Sequence, residues 1–383
     1  MTSTKPLKIL MVSMDYPPQI GGLATHVDEL TQALIRLGHQ VHILTRNDLS
    51  GPAKSSIDKP KPYTDIKKIS LKIPGMLQGL LIQRGIDQVL KQQPPASPFD
   101  LIHMHGLKCL EFGTRRPIPL VFTNHTSGFL RRMEKGGRRT KALERRLKKV
   151  DLLLAPSTEL LKIPGNCPEM AARHYIPNGI RPASCERDLE IRQLLRHKLQ
   201  LSAQDRLGIA TRRLVAKNGV YYLAKAFNLI NDNARKRLKI LILGSGPEKK
   251  RIESELKKTD PQNYFMLDAL PRSQLLPWYS AADFAILPSL KEATSISGLE
   301  AMAASLPLIG TQVGGTPDLV PEGKNGILVP PADPQALANA LNQIAEIDLE
   351  PLGNESCRLA REKFHWDRIA EQTAVCYRSV LKS

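Results

Sequence analysis

Short apolar runs with strand character alternate with helical segments along this chain of 383 residues. Between the first two runs, leucine and valine residues recur every three or four positions from Leu23 to Leu37, as in an amphipathic helix, and Gly38 is the predicted C-cap. Strand, helix and strand in this order predict a doubly wound α/β domain with a parallel sheet. Strands of the first half are predicted at residues 8–13, 40–45, 101–105, 120–123, 152–155 and 174–176.

A segment dense in turn-forming residues, Pro177 to Pro182, precedes a second half in which the alternation restarts. We therefore predict an N-terminal Rossmann-like domain over residues 1–177, a C-terminal Rossmann-like domain over 178–365 and a final amphipathic helix over 366–383. Residues 50–75 are rich in Lys, Pro and Ser and are predicted to form a surface loop. Strands of the second half are predicted at residues 207–210, 238–243, 264–267, 284–287, 306–311 and 326–329.

The chain carries a formal net charge of +18, which favours an anionic partner such as nucleic acid, anionic lipid or a phosphorylated substrate. Ten of its Lys and Arg residues fall within 131–149. Leu143, Leu147 and Val150 share one helical face there, so the segment is either a basic helix on an anionic membrane surface or a solvated charged helix. Nucleic acid is not expected, because no aromatic residue follows Phe129 in this run to stack on bases.

The cysteines and the lengths of the apolar runs indicate the cellular compartment of the protein. Five cysteines are scattered without Cys-x-x-Cys spacing, which favours free thiols in a reducing cytoplasm. No apolar run approaches the ~18 residues of a membrane span, and the first run, ended by Asp15, is predicted as a strand rather than a secretion signal. We expect a cytoplasmic protein, peripheral on the inner face of the membrane if the basic segment binds lipid.

Two carboxylates eight residues apart carry the clearest chemical signal in the sequence. Glu292 falls in the loop after the apolar run 284–287, and Glu300 falls in the helix that follows. A helix N-terminus supplies free N–H groups that suit a phosphate, and carboxylates accept hydrogen bonds from sugar hydroxyls. This combination predicts a site for a sugar nucleotide. Spacing alone leaves open that both Glu residues lie on a solvated face.

The stretch around Glu292 and Glu300 resembles the Glu-x7-Glu motif of retaining glycosyltransferases of family 4. The resemblance implies the α/β GT-B fold, in which two Rossmann-like doubly wound domains face a central cleft and the C-terminal helix crosses back to the first domain. It also implies that Glu300 holds ribose hydroxyls and that Glu292 holds hydroxyls of the donor sugar. Ser295 and Ile296, at the start of the helix, are expected to contact the donor as well.

Three segments of the first half resemble acceptor-side motifs of this family. Gly21-Gly22 matches its Gly-rich loop near the reaction centre, and Gly22 is also expected near the donor. An Asp-x-x-His-x-His run ends at His105, and a Thr-x-His segment ends at His125. The resemblance implies that Gly21, His105 and His125 lie on the acceptor side and that His125 is a catalytic-site residue.

Three segments of the second half resemble donor motifs. Arg213 and Lys217 match the basic residues that hold the donor diphosphate, and with His125 and Glu292 they form the expected catalytic set. Glycines and a threonine match the loops that shape the donor pocket, namely Gly244 and Gly246 of Gly-x-Gly-Pro, and Gly315 and Thr316 of Gly-Gly-x-Pro-Glu.

The sequence departs from the family pattern at four places. Thr126 follows His125 where many members have Asp, Arg212 precedes Arg213 where Gly is usual, and Asp268 stands where the family has Gly. Lys217 also lies one position earlier than the commoner spacing. No Asp-x-Asp occurs in the chain, so neither a metal nor another cofactor is expected.

The resemblance implies a retaining, hexosyltransferase-type glycosyltransferase. It would move a sugar from a nucleotide-sugar donor, with UDP favoured over GDP and ADP, to a glycan or lipid-linked acceptor in cell-surface polysaccharide or glycolipid synthesis. The alternative is a catalytically decayed relative that binds sugar nucleotides or anionic membranes. A Rossmann-fold oxidoreductase is disfavoured because residues 13–25 lack Gly-x-Gly-x-x-Gly.

Overall fold

A computed structural model of the chain describes residues 5–17, 19, 22–47, 65–70, 75–110, 118–125, 136–162, 172–182, 187–321 and 323–381. The chain folds into two compact units, which are treated separately below. Unit 1 comprises residues 1–177 together with 366–383, and unit 2 comprises residues 178–365.

Unit 1 is built on a parallel sheet of seven strands in the order β3-β2-β1-β4-β5-β6-β7. Its strands are β1 Lys8–Ser13, β2 Gln40–Asn47, β3 Asp65–Ser70, β4 Leu101–His105, β5 Leu120–Thr123, β6 Leu152–Ala155 and β7 Ala172–Tyr175. The helices within the described residues of the first part of the chain are α1 Gly22–Arg36, α2 Gly75–Lys91, α3 Leu107–Leu110 and α4 Gly137–Leu147. A short 3-10 turn follows β6 at Glu159–Leu161.

The two faces of this sheet are covered by different helices, as alternation along β1 requires. Ile9 packs in a core with Val27 of α1, whereas its neighbour Leu10 packs on the opposite face with Ile82 of α2. Successive side chains of a strand point to opposite faces, so a fully apolar strand such as β1 is stable only when both faces are covered.

Residues 65–70 form a strand, which corrects the prediction of a surface loop over residues 50–75. β3 pairs in parallel with β2 at the edge of the sheet, with Ile66 opposite Ile43. Lysine residues are typical of edge strands, where they discourage pairing with other molecules. They also made this segment too polar to be predicted as a strand from its apolar residues. Residues 51–64 lie outside the described part of the chain.

Unit 2 is a parallel sheet of six strands in the order β10-β9-β8-β11-β12-β13. Its strands are β8 Arg206–Thr211, β9 Leu238–Leu243, β10 Tyr264–Leu267, β11 Phe284–Leu287, β12 Leu308–Thr311 and β13 Gly326–Val329. Its helices are α5 Leu189–Lys198, α6 Val220–Asn228, α7 Asp232–Arg237, α8 Lys249–Leu256, α9 Arg272–Ala281, α10 Ile296–Ala303, α11 Thr316–Leu319, α12 Pro334–Glu346 and α13 Glu350–Lys363, with 3-10 turns at Ala216–Asn218 and Pro261–Asn263.

The last helix, α14 Trp366–Leu381, returns to unit 1 and packs beside α1. Trp366, Ile369 and Tyr377 are buried in the core that also contains Ile9 and Val27. The predicted fold class, including the return of the C-terminal helix to the first domain, is therefore confirmed. None of the helices within the described residues is both long and apolar enough to span a membrane.

The apolar face of helix α4 is buried in the core of unit 1. Leu143, Leu147 and Val150 are buried in the core with Ile82 and Ile86 of α2. This face is therefore not available to insert into a lipid surface. Among the described basic side chains of this segment, those of Arg138, Lys141, Arg145, Lys148 and Lys149 are exposed, whereas residues 131–135 lie outside the described part of the chain.

Candidate active site

The segment from β11 to α10 carries Glu292 and Glu300, the two carboxylates of the Glu-x7-Glu stretch. The buried apolar strand β11 leads into the loop that holds Glu292, and α10 begins at Ile296. Ser295 is the N-cap, because its Oγ accepts a hydrogen bond from the Gly298 N–H at 3.2 Å. Ser295 is buried and Ile296 is half-buried. The first turn of α10 thus presents N–H groups beside the loop of Glu292.

Arg212, at the end of β8, is the principal partner of Glu292. The guanidinium of Arg212 donates to Oε2 of Glu292 and to Oγ of Ser289, and the other terminal nitrogen donates to Ser295 Oγ at 3.0 Å and to Ser297 Oγ at 3.3 Å. The side chain of Arg212 is only 8% exposed and that of Glu292 only 16%. Sequence reasoning noted Arg212 only as a departure from the family pattern. The structure makes it the centre of this cluster.

Glu300 is buried and bonded to two side chains of α9. Its Oε1 accepts from Arg272 Nε at 2.8 Å, and its Oε2 accepts from the Tyr279 hydroxyl at 3.2 Å. Burial raises the pKa of the Glu300 carboxyl, and the Arg272 guanidinium opposes that rise. Arg272 and Tyr279 were not anticipated, because nothing in the local sequence shows that α9 faces α10.

One hydrogen-bonded network joins the two carboxylates. Ser297 Oγ accepts from Arg212, which binds Glu292, and the carbonyl of Ser297 accepts from the Tyr279 hydroxyl at 3.3 Å. The single proton of the Tyr279 hydroxyl is shared between this carbonyl and Oε2 of Glu300. The motif therefore places Glu292 and Glu300 in one network beside the first turn of α10, rather than on separate solvated faces.

The two cations expected at the diphosphate are exposed and lie outside this cluster. The Arg213 side chain makes no hydrogen bond or ion pair with any residue that the structure describes. The carbonyl of Lys217 accepts from the backbone N–H of Leu290 at 2.8 Å, which holds the basic turn against the loop of Glu292. Asn218 follows and is buried, with Nδ2 donating to the Arg213 carbonyl at 2.8 Å.

Glycines allow the loops of unit 2 to approach each other closely. A Cβ at Gly244 would lie 1.8 Å from the carbonyl oxygen of Arg212, and a Cβ at Gly246 would lie 2.3 Å from that of Leu214. The predicted donor-pocket glycines therefore hold the Arg212 loop in place. A Cβ at Gly315 would lie 3.0 Å from the backbone nitrogen of Thr294, so this glycine likewise permits a close approach of two loops.

Thr316 begins the short helix α11, and its buried Oγ1 has no hydrogen-bond partner among the described residues. An unsatisfied hydroxyl of this kind can bind a ligand or a water molecule. Asp268, where the family has Gly, is exposed and pairs with Lys249 at 2.7 Å, while Ser245 donates to it at 3.2 Å.

Unit 1 carries a cluster of histidines at the carboxyl ends of β4 and β5. His105 is buried, and its Nδ1 lies 3.1 Å from Nε2 of half-buried His125. His26 of α1 packs its ring against both, with centroid distances of 5.6 and 4.4 Å. The sequence prediction missed His26, which sits on the inner face of α1. Gly22 starts α1 and is exposed, whereas Gly21 lies outside the described residues.

Burial keeps the imidazoles of His105 and His125 neutral. It lowers the pKa of His105 and of His125 well below the usual histidine value, and the neighbouring histidines lower both further. Nε2 of His105 is buried without a hydrogen-bond partner among the residues described. A neutral His125 can accept a hydrogen bond from a sugar hydroxyl, but it is not an acid near neutral pH.

The same three histidines are a donor set that suits a transition metal. One ring nitrogen from each of His26, His105 and His125 lies within 4.8 Å of the others. Of these, His105 Nδ1 and His125 Nε2 lie 3.1 Å apart, at hydrogen-bonding distance. The expectation of a metal-free enzyme stays a prediction.

Comparisons with known proteins agree with this architecture. A family model described as "Glycosyltransferase Family 4" matches residues 20–184, and one described as "Glycosyl transferases group 1" matches residues 205–346. An uncharacterized glycosyltransferase of Methanocaldococcus jannaschii is 26% identical over 98% of this chain and 99% of its own length.

Two solved structures are also similar. Sucrose-phosphate synthase from Thermosynechococcus elongatus has a TM-score of 0.79 and 21% identity, over 98% of this chain and 99% of that one. The Anabaena protein HepE, solved in complex with UDP-glucose, has a TM-score of 0.74 and 18% identity, over 97% of this chain and 100% of that one. At these identities the likeness shows the fold. Together, the two matching family models, the two parallel sheets and the returning helix show that the chain belongs to the glycosyltransferases of family 4, which have the GT-B fold.

Proposed function

We propose that this glycosyltransferase is a retaining, hexosyltransferase-type enzyme whose nucleotide-sugar donor binds unit 2 at the start of α10. The observation that carries the proposal is the network that joins Glu292 to Glu300 through Arg212, Ser297 and Tyr279. The network includes residues at the start of α10, whose first N–H groups suit a diphosphate. Glu300 would bind ribose hydroxyls, and Glu292 a hydroxyl of the sugar.

The exposed guanidinium of Arg213 supports a role in holding the diphosphate, with Lys217 close by in sequence. A cation and helix N–H groups stabilise the negative charge that grows on a departing diphosphate. UDP is the favoured nucleotide, and the binding of UDP-glucose by the HepE protein of the same fold supports it. GDP and ADP sugars are the alternatives.

The acceptor is proposed to bind unit 1 near Gly22, His105 and His125. Because His125 is neutral, its contribution would be to orient a sugar hydroxyl by hydrogen bonding rather than to donate a proton. In a front-face retaining route, the departing phosphate would accept the proton of the acceptor hydroxyl. The acceptor class we propose is a glycan or a lipid-linked glycan, as in cell-surface polysaccharide or glycolipid synthesis on the cytoplasmic side.

A donor panel tests the proposal. UDP-, GDP- and ADP-glucose and the matching nucleoside diphosphates are titrated against the wild type, and the donor is expected to raise the melting temperature through mass action. Glu292→Ala is expected to lower donor turnover roughly tenfold to hundredfold, the worth of one hydrogen bond to a charged group. Glu355→Ala, which removes a half-buried carboxylate paired with Arg358 elsewhere in unit 2, is the matched control.

Two outcomes would contradict the proposal. If no nucleotide sugar stabilises the wild type, unit 2 is not a donor site. If turnover occurs but NMR shows that the anomeric configuration of the donor is inverted in the product, the enzyme is not retaining.

A further inference from the structure

Arg212 stands at a position where glycosyltransferases of family 4 usually have glycine. It is the first residue after β8, and its guanidinium contacts Ser289, Glu292, Ser295 and Ser297. These four partners lie on the loop before α10 and on its first turn. The Arg212 side chain is only 8% exposed and bonds four side chains of the proposed donor site. It is therefore part of that site and not a solvated surface cation.

The acceptor capacity of Glu292 is largely consumed within the protein. Oε2 accepts from Arg212 and from Ser289 Oγ, the latter at 3.2 Å. Oε1 accepts from the Ala293 N–H at 3.2 Å, and Glu292 has no further partner among the residues that the structure describes. Each carboxylate oxygen has two acceptor positions, so one position remains, on Oε1.

We propose that Arg212 is a positioning residue that acts through Glu292: by holding Oε2, it fixes the carboxylate so that Oε1 accepts from a single hydroxyl of the donor sugar. This inference rests on the proposed donor site. It assigns to Arg212 no contact with the nucleotide or its diphosphate, which distinguishes it from Arg213.

The backbone around Arg212 is built to keep this placement. Arg212 N–H donates to the Leu243 carbonyl at 2.9 Å, and the close approach of Gly244 leaves no room for a side chain beside the Arg212 carbonyl. Nε of Arg212 is buried without a partner among the described residues. The side chain is therefore confined, and a confined guanidinium orients its carboxylate partner at little cost in conformational entropy.

The test compares the affinity for a nucleotide sugar with the affinity for the nucleoside diphosphate alone. Dissociation constants are measured for UDP and UDP-glucose, or for the nucleotide pair that stabilises the wild type best. In Arg212→Met, we expect the advantage of the nucleotide sugar over the nucleoside diphosphate to fall about tenfold, because Glu292 is no longer held in place. Affinity for the nucleoside diphosphate is expected to stay within twofold of the wild type.

A double-mutant cycle shows whether Arg212 acts through Glu292. Glu292→Ala should remove the same advantage, and the double variant Arg212→Met with Glu292→Ala should lose no more than Glu292→Ala alone. Arg212→Lys should restore part of the advantage. Arg206→Met is the matched control, because Arg206 lies at the other end of β8 and, among the described residues, its side chain bonds only the backbone carbonyls of Ile344 and Ile347.

The outcomes are distinct. An unchanged sugar advantage in Arg212→Met, or an equal fall for sugar nucleotide and nucleoside diphosphate, overturns the inference while leaving the donor site intact. If the wild type binds neither ligand, the donor site itself is wrong and the inference falls with it. Should Arg212→Met fail to fold because a half-buried charge has lost its partner, Arg212→Lys and the double variant still decide the question.

Discussion

At the scale of single residues, His103 shows how a buried polar group is accommodated in the sheet of unit 1. Its Nδ1 bonds the Tyr377 hydroxyl and its Nε2 bonds Thr123 Oγ1, both at 2.6 Å. Burial lowers the pKa of His103 from the ordinary 6.5 to about 3, with a further contribution from His26. His103 therefore stays neutral in the folded protein, and it links β4, β5 and α14.

This predicts a pH dependence of stability with a definite sign. Between pH 6.5 and 3 the unfolded chain binds a proton at His103 and the folded chain does not, so acidification favours unfolding. From pH 7.5 to pH 5, the wild type should lose about 2 kcal/mol of unfolding free energy more than His103→Gln. Urea denaturation at the two pH values measures this. Equal losses in both proteins would show that His103 titrates normally when folded.

At the scale of elements, α4 separates its two faces cleanly. The apolar face is buried against α2, and five basic side chains on the other faces are exposed. Attraction of this helix to an anionic surface would therefore be electrostatic, at about 1 kcal/mol for each basic residue near the membrane, without insertion of apolar side chains.

We predict that reversing three of these charges weakens binding to anionic vesicles without unfolding the protein. The triple variant Arg138→Glu, Lys141→Glu and Arg145→Glu should bind vesicles containing phosphatidylglycerol at least tenfold more weakly at low salt, because each reversal removes an attraction and adds a repulsion. Co-sedimentation measures it. A matched control reverses three exposed lysines of unit 2, Lys198, Lys250 and Lys257.

Either of two results would argue against α4 as a membrane contact. One is wild-type protein that stays in the supernatant with anionic vesicles. The other is an equal loss of binding in the control triple variant, which would assign the attraction to the net charge of the chain rather than to this helix.

At the scale of the whole molecule, the excess of positive charge bears on whether donor binding needs a metal ion. A net charge of +18 and the exposed guanidinium of Arg213 offer neutralisation of a diphosphate by the protein itself. We predict that dialysis against EDTA leaves both nucleoside diphosphate affinity and donor turnover within twofold of untreated protein. Loss of activity that is restored by Mg²⁺ or Mn²⁺ would contradict the prediction, and restoration by Zn²⁺ would direct attention to His26, His105 and His125.

The fold could be predicted from sequence because its signals are local. Fully apolar runs of four to six residues separated by helical periodicity require parallel strands covered on both faces, and each of the predicted strands corresponds to a strand in the structure. The edge strand β3 was not predicted, because a strand at the edge of a sheet needs few apolar residues. Its stability comes from backbone pairing with β2.

Contacts between distant segments could not be predicted in this way. Arg212 and Arg213 are neighbours, yet one is buried against Glu292 and the other is exposed, because successive side chains at the end of a strand point in opposite directions. The amino-acid sequence by itself determined two doubly wound parallel sheets and the motif that places two carboxylates around α10. Only the tertiary structure decided which cation Glu292 meets, since that depends on how the end of β8 packs against the loop after β11.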